Sequence, residues 1–382
     1  MAQRVYIEGL FLTEPFRRTG KGRYLANLLK HIEILTRDSG QLTIHVLLPP
    51  NTGGDACGLI SRSGFEIVHT QAMRFRRVWR RGLSTVIAKA MEFEAFFVPE
   101  SVPILAKPRR LAVNLHDIGV NMFPRDFRTA SGLLERWANW SNMRNADLIF
   151  TDSEYSKNDM ISSWNVPAER IVVTYLGVDL DSFRAQRLLP REKETLANRY
   201  GLTRDYILYV GAIVRKKNLA RLIRSYRLVM SRQKDFDFQL VLCGWRWRKG
   251  YAEISELCED PSAGDGIVLT GSVPDHDLAL LYRGAACLVM PSFYEGFGLP
   301  VVEAMASGVP VMSSNRSCLP EIGGDAALYF DPESVEEMSA VMERMLNDST
   351  LRKELAARGV ERARQFSWEN CARTTLRTLK EL

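Results

Sequence analysis

The stretch CLVMPSFYEGFGLPVVEAMASGVPVMSS, residues 287–314, decides how the rest of the chain is read. An apolar run ends at Pro291, and a glycine-containing turn follows. LPVVEAMA then has helical spacing, Gly308 stops it, and VPVMSS returns to an apolar run. Two short apolar runs bracketing a helix describe a crossover unit of a parallel sheet covered on both faces. Ligands of such sheets lie beyond the carboxyl ends of the strands, which is where FYEGFGLP falls. Gly296 and Gly298 let backbone amides approach a ligand closely. Pro300 suits a first helical turn, so the amides of Phe297, Gly298 and Leu299 should point out of a helix N-terminus, a setting for phosphate.

Outward from this segment the same texture repeats. YILYVGAI, FQLVLCG, GIVLTGSV, CLVMPS, GVPVMSS and AALYFDP read as strands, separated by helical stretches such as NLARLIRSYRLVMSRQ, DHDLALLYRGA and SVEEMSAVMERMLND. Nearer the N-terminus RVYIEGL, LTIHVLLPP, GFEIVHT, EAFFVPE, RLAVNLHDIG, ADLIFTDS and RIVVTYLGV alternate with helices in the same way. A chain of 382 residues suits two domains of roughly 150–200 residues each. The expected class is therefore α/β, with two Rossmann-like, doubly wound domains facing a cleft, over residues 1–178 and 205–365. The polar stretch 179–204 reads as the connection. A last helix over 366–382 follows, with the freedom to cross back to the first domain.

Composition narrows the function. Hydrophobic residues at 46% with charged residues at 25% exclude a disordered chain. No stretch approaches the ~20 apolar residues of a membrane span. The N-terminal apolar run is short and lacks a small-residue cleavage site, so no signal peptide is expected. The cysteines show neither CxxC nor Cys/His spacing, and Cys243 and Cys287 sit in apolar runs where a thiol is a small core residue. Neither a disulfide framework nor a metal site is expected, and a reducing cytoplasm fits. The net charge of +6 is concentrated in MRFRRVWRRG, where Arg74, Arg76, Arg77, Arg80 and Arg81 interleave with Phe75, Val78 and Trp79. That mixture suits an anionic bilayer surface or a phosphate-rich acceptor, with a solvated surface as the plain alternative. No recognised nucleic-acid motif accompanies it.

Glu295 and Glu303 flank the glycine turn with seven residues between them. Glu303 falls about one turn into the helix, where a carboxylate can accept paired hydrogen bonds from a ribose diol. Glu295 precedes the turn and can reach a sugar hydroxyl. Taken singly, the first is equally a helix-start carboxylate and the second an ordinary loop residue. Together with the turn, they resemble the Glu-x7-Glu signature of the large retaining glycosyltransferase family 4 (group 1). That family includes sucrose synthases, phosphatidylinositol mannosyltransferases and bacterial polysaccharide mannosyl- and rhamnosyltransferases. The resemblance covers nearly the whole chain and is strongest from Tyr206 to Pro332. It implies the fold called GT-B, an acceptor-binding first domain, a nucleotide-sugar-binding second domain, retention of anomeric configuration and no bound metal or other cofactor.

Further residues follow from that resemblance. In YILYVGAIVRKKNLARLIRSY a strand ends at Gly211 and a helix starts near Asn218, a good cap residue. This is similar to the family's Gly-x-x-x-x-Arg-Lys-Asn pattern, whose last basic residue falls on Lys217. Many members carry an arginine directly after the glycine; here that position is Ala212, and Arg215 is the expected second cation. FRRTGKGRYLANLL resembles the glycine-rich turn of the first domain, with Gly20 and Gly22 near a helix start, although GxG alone is weak evidence. His116 in LHDIGVNMFP resembles the His-Asp pair of polysaccharide-type members; it would bond the transferred sugar, with Asp117 orienting it or the acceptor. A structural histidine is the plain alternative. Ser153 in TDSE would touch ligand or cap the next helix. WRWRKG and the turn around Val273 would line the base pocket. Asp179 and Asp181 match the family's connection, not a metal-binding Asp-x-Asp.

The expectation is thus a hexosyltransferase moving mannose from GDP-mannose to a glycan or lipid-linked glycan of a bacterial surface polysaccharide. A UDP-hexose or dTDP-rhamnose donor stays open, as does a catalytically silent scaffold. The place is the cytoplasm, with peripheral contact at the inner face of the plasma membrane and no nucleic-acid partner. A dinucleotide-dependent oxidoreductase would need GxGxxG after a strand with an acidic residue ~20 positions on, and no segment meets both conditions.

Overall fold

Apolar runs too short for helices become strands, and the central ones are buried because helices cover both faces. The computed structural model describes residues 3–13, 19–37, 42–49, 60, 65–69, 82–122, 129–233, 235–245, 254–258 and 266–382. The chain divides into two compact units, one of Met1–Gly177 with Ser367–Leu382 and one of Val178–Phe366.

In the first unit the strands are β1 (Gln3–Glu8), β2 (Leu42–Leu48), β3 (Glu66–His69), β4 (Ala95–Val98), β5 (Arg110–Asn114), β6 (Leu148–Thr151) and β7 (Ile171–Val173). They form a seven-stranded parallel sheet in the order β3-β2-β1-β4-β5-β6-β7. β4, the run AFFV, is buried along its whole length. The helices that position residues discussed below are α1 (Gly20–Thr36), α2 (Ala130–Asn145) and α3 (Glu154–Trp164).

The second unit holds β8 (Asp205–Val210), β9 (Phe238–Cys243), β10 (Ile267–Gly271), β11 (Cys287–Met290), β12 (Val311–Ser314) and β13 (Ala327–Phe330). Its six-stranded parallel sheet has the order β10-β9-β8-β11-β12-β13. Its longer helices are α4 (Pro190–Tyr200), α5 (Leu219–Arg232), α6 (Asp275–Gly284), α7 (Leu299–Ala306), α8 (Val335–Asn347) and α9 (Ser349–Ala363). α4 falls in the polar stretch read as a connection. It is anchored on α6, where Oδ2 of Asp277 accepts from Arg199 Nη1 and Tyr200 Oη, each at 2.5 Å.

The last helix, α10 (Trp368–Glu381), belongs to the first unit, as the sequence allowed. It packs along α1. Trp368 sits so close to Gly177 that a β-carbon there would meet the Trp368 amide nitrogen at 2.1 Å. The chain is therefore two Rossmann-like domains with a C-terminal helix returned to the first, the GT-B arrangement of secondary structure.

Candidate functional site

In each sheet the strand order reverses once, between β1 and β4 in the first and between β8 and β11 in the second. Crossovers on the two sides of such a point leave in opposite directions, so the carboxyl ends there open into a crevice. Of the charged residues singled out from sequence, Arg215, Lys217, Glu295 and Glu303 lie beyond β8 and β11 in the second sheet, and His116 lies beyond β5 in the first.

In the second unit Lys217 ends a 3-10 turn (Arg215–Lys217) beyond β8, and Glu295 lies in the turn beyond β11. The Lys217 ammonium donates to Oε1 of Glu295. Ser292 Oγ donates to the same oxygen at 2.6 Å, and the Glu295 amide donates to Ser317 Oγ at 3.1 Å. With side-chain exposures of 13% and 9%, both charges are largely out of water, and each is tolerable because the other neutralises it. An ammonium carries three donors, so one bond to Glu295 leaves capacity for an incoming anion.

The turn carrying Lys217 is sewn to its neighbours. Asn218 adopts the left-handed conformation (φ 59°) and precedes α5. It stands at the N-cap position, as the sequence suggested, but its side chain makes no cap bond. Its Nδ2 instead donates to the carbonyls of Pro291 at 3.1 Å and Pro332 at 2.7 Å, tying the turn to the ends of β11 and β13. The Phe293 amide donates to the Lys216 carbonyl at 3.0 Å. Arg215 is in the same turn and exposed.

Beyond Glu295, Gly298 takes φ 91°, a left-handed conformation that costs glycine little, and α7 starts at Leu299 with Pro300 second. Phe297 is buried, its ring edge-on to Phe366 at 5.4 Å, so any ligand role belongs to the backbone around it. Glu303 lies in the second turn of α7 at 2% exposure, and Tyr282 Oη of α6 donates to its Oε2 at 2.9 Å. Gly296 is buried in the same turn.

The neighbouring strand ends are pared to backbone. Gly211 donates to the Cys243 carbonyl and Gly244 to the Gly271 carbonyl, both at 2.9 Å. A β-carbon on Gly244 would meet the Gly211 oxygen at 1.9 Å, so only glycine allows these ends to lie together. Val273 follows β10, half-buried. WRWRKG lies outside the described residues after Trp245, which is exposed.

In the first unit Gly20 and Gly22 open α1, with Thr19 Oγ1 accepting from the Gly22 amide at 3.2 Å. Lys21 between them was missed from sequence, although its place between two glycines was the available signal. Its Nζ donates to Oε1 of Glu100, beyond β4, at 2.7 Å. Burial favours the neutral amine, but the carboxylates of Glu100 and Glu135 outweigh it and hold the Lys21 ammonium charged.

His116, beyond β5, donates from Nδ1 to Oδ2 of Asp152, beyond β6, at 2.7 Å. Asn114 Nδ2 lies 2.9 Å from the same ring nitrogen and donates to Oδ1 of Asp152 at 3.4 Å. Burial works against imidazolium, but Asp152 and Glu100 outweigh it and raise the His116 pKa. Tyr24 of α1 stands edge-on to the imidazole at 4.7 Å. Asp117 Oδ1 accepts from the Gly119 amide at 2.8 Å, and the carboxylate that holds the His116 ring is that of Asp152. Two strand ends meeting cannot be read from one strand's residues. Ser153 caps α3, accepting from the Ser156 amide at 3.1 Å.

Arg74, Arg76, Arg77, Trp79, Arg80 and Arg81 lie outside the described residues. Among the described residues no three His, Cys, Asp or Glu side chains are grouped to hold a metal ion.

Each domain is built on one parallel sheet, and the second carries a basic turn and a buried carboxylate at its switch point. The family model for group 1 glycosyl transferases matches residues 191–365, and that for glycosyltransferase family 4 matches residues 23–182. The chain belongs to this family. It is 39% identical to O-antigen chain mannosyltransferase B of Escherichia coli over 243 residues, 63% of this chain and 62% of that protein. It is 30% identical to the serotype-specific mannosyltransferase WbdA of E. coli over 228 residues, 59% of this chain and 28% of WbdA. The match thus spans about three fifths of one relative and under a third of the other. Among solved structures, sucrose-phosphate synthase from Thermosynechococcus elongatus has the same fold, with a TM-score of 0.75, 18% identity and coverage of 99% of this chain and 98% of that one. HepE from Anabaena, solved with UDP and glucose, gives 0.73 at 16% identity, covering both chains fully.

Proposed function

We propose that this chain transfers a hexose from a nucleotide-sugar donor to a glycan or lipid-linked glycan acceptor, with retention at the anomeric carbon and without a metal. Mannose from GDP-mannose is the first choice, because the relatives at 39% and 30% identity are named as mannosyltransferases. The observation that carries the reading is the Lys217–Glu295 pair at the β8/β11 switch point.

When the bond between anomeric carbon and diphosphate breaks, negative charge grows on phosphate. A cation and backbone amides already fixed beside that charge lower the barrier because they need not reorganise as it forms. Lys217, with Arg215 beside it, supplies the cation, and the start of α7 after Gly298 supplies the amides and the helix dipole. Glu303, held by Tyr282, takes the ribose diol. Glu295 takes a hydroxyl of the sugar, and His116, held by Asp152, bonds the transferred sugar or the acceptor. Gly20 and Gly22 let the first domain's backbone approach a ligand. The departing phosphate accepts the acceptor's proton, so no protein nucleophile is assigned.

A melting-temperature panel of GDP, UDP, dTDP and ADP with their sugars, in a chelating buffer, tests this. A ligand at about 100-fold its Kd adds about 2.7 kcal/mol. Selective stabilisation by GDP and GDP-mannose, followed by GDP release on adding a mannan acceptor, supports the proposal. Stabilisation by UDP or dTDP instead replaces the donor. No response to any of them in folded protein overturns the transferase reading.

A further inference from the structure

The helix α2 buries one face, with Ala138, Asn142 and Met143 on it, and the opposite face should be polar. It is not. The exposed positions include Leu133, Trp137, Trp140 and Arg144, spaced i, i+4, i+7 and i+11, which is one stripe along the helix. Leu133 is 56% exposed, Trp137 43% and Trp140 44%. The Arg144 guanidinium lies 5.6 Å from the centre of the Trp140 ring. The one acidic residue of the helix, Glu135, is half-buried and faces Lys21 at 4.0 Å. The stripe itself is therefore apolar, aromatic and positive; Glu135, two residues from Leu133 and from Trp137, lies off it on the side of Lys21.

We infer that this stripe docks the protein on an anionic lipid surface. Two observations select that occupant. Three side chains about half exposed present on the order of 250 Å² of apolar area, well short of the ~800 Å² per partner of a stable dimer. Indole rings with an arginine against one of them match the headgroup region, where an amphipathic ring has one end in apolar surroundings and the other wet. Arg144 complements lipid phosphate.

The inner face of the same helix leads to the first unit's strand ends. Glu135 faces Lys21, and Asn142 Nδ2 donates to Ser101 Oγ at 2.9 Å, next to Glu100. A helix with one face on lipid and the other on those residues would bring a lipid-linked acceptor to them. That last clause rests on the transferase proposal; the docking does not.

The experiment is flotation of the full chain with phosphatidylcholine vesicles, with or without about one third phosphatidylglycerol. The expected result is binding to the anionic vesicles alone, weakened by salt as the Debye length shortens. Arg144→Glu, an exposed charge reversal that leaves the core untouched, should weaken binding by about tenfold. Trp137→Gln with Trp140→Gln should abolish it while donor-induced stabilisation is kept. Wild-type protein that stays unbound overturns the inference, as do variants that bind like wild type, which would pass the role to the arginine run at 74–81. A concentration-dependent dimer that the Trp137→Gln/Trp140→Gln variant dissociates also overturns it, by making the stripe a self-interface. Donor stabilisation lost in wild type while vesicle binding persists counts against the transferase proposal alone.

Discussion

Lys217 donates to Glu295, 78 residues further along the chain, and the bond spans adjacent strand ends. Neither residue has this partner in its own local structure. The pair exists because β8 and β11 are neighbours in the sheet.

Lys217→Ala should lower kcat/KM by about a hundredfold, roughly 3 kcal/mol, the usual cost of removing one preorganised donor beside developing charge. Steady-state release of nucleoside diphosphate measures it, with circular dichroism as the control for folding. Full turnover in the folded variant would remove Lys217 from the mechanism.

Tyr282→Phe takes away the hydroxyl that holds Oε2 of Glu303 and leaves that carboxylate buried with one partner fewer. Donor KM should rise by roughly fivefold, about 1 kcal/mol, with kcat little changed, because the bond orients a binding residue. Glu303→Ala should lose most activity. An equal fall in kcat for Tyr282→Phe would place Glu303 in the chemical step.

The His116–Asp152 pair predicts a pH dependence. The folded imidazole titrates above its ordinary value of 6.5, so its stabilising contribution is complete below that value and fades as pH rises through the raised one. Asp152→Asn should therefore cost on the order of 1–2 kcal/mol at about pH 6 and clearly less at about pH 9. Urea unfolding at the two pH values gives the difference. A cost independent of pH would mean that the imidazolium is not what Asp152 stabilises.

Asn218→Ala leaves the carbonyls of Pro291 and Pro332 without their side-chain donor. A loss of about 1–3 kcal/mol in unfolding free energy is expected, with reduced affinity for nucleotide as the Lys217 turn loosens. Melting curves with and without GDP separate the effects. A variant as stable as wild type would show that the turn is held by the backbone bond from Phe293 to Lys216 alone.

Much of the fold was legible from residue types. Runs such as CLVM, AFFV and FQLVLC are apolar and too short for helices, and each became a buried parallel strand. The glycine turn and Pro300 marked the start of α7, and Ser153 stood where a helix cap forms. The helix α9 carries a weak apolar stripe and went unremarked, since it is defined by packing on α7 more than by pattern.

Periodicity and local chemistry report whether a residue is buried and how its own segment bends, so they determined the strands, the turns and the candidate residues. They carry no information on which strand lies beside which. Sheet order decided that Lys217 meets Glu295, that His116 meets Asp152 and not the adjacent Asp117, and that Lys21 meets Glu100. It also turned the side chain of Asn218, the N-cap residue of α5, into a tie between strand ends. A charged group moved out of water is stable only beside a partner, and only the tertiary structure brings that partner within reach.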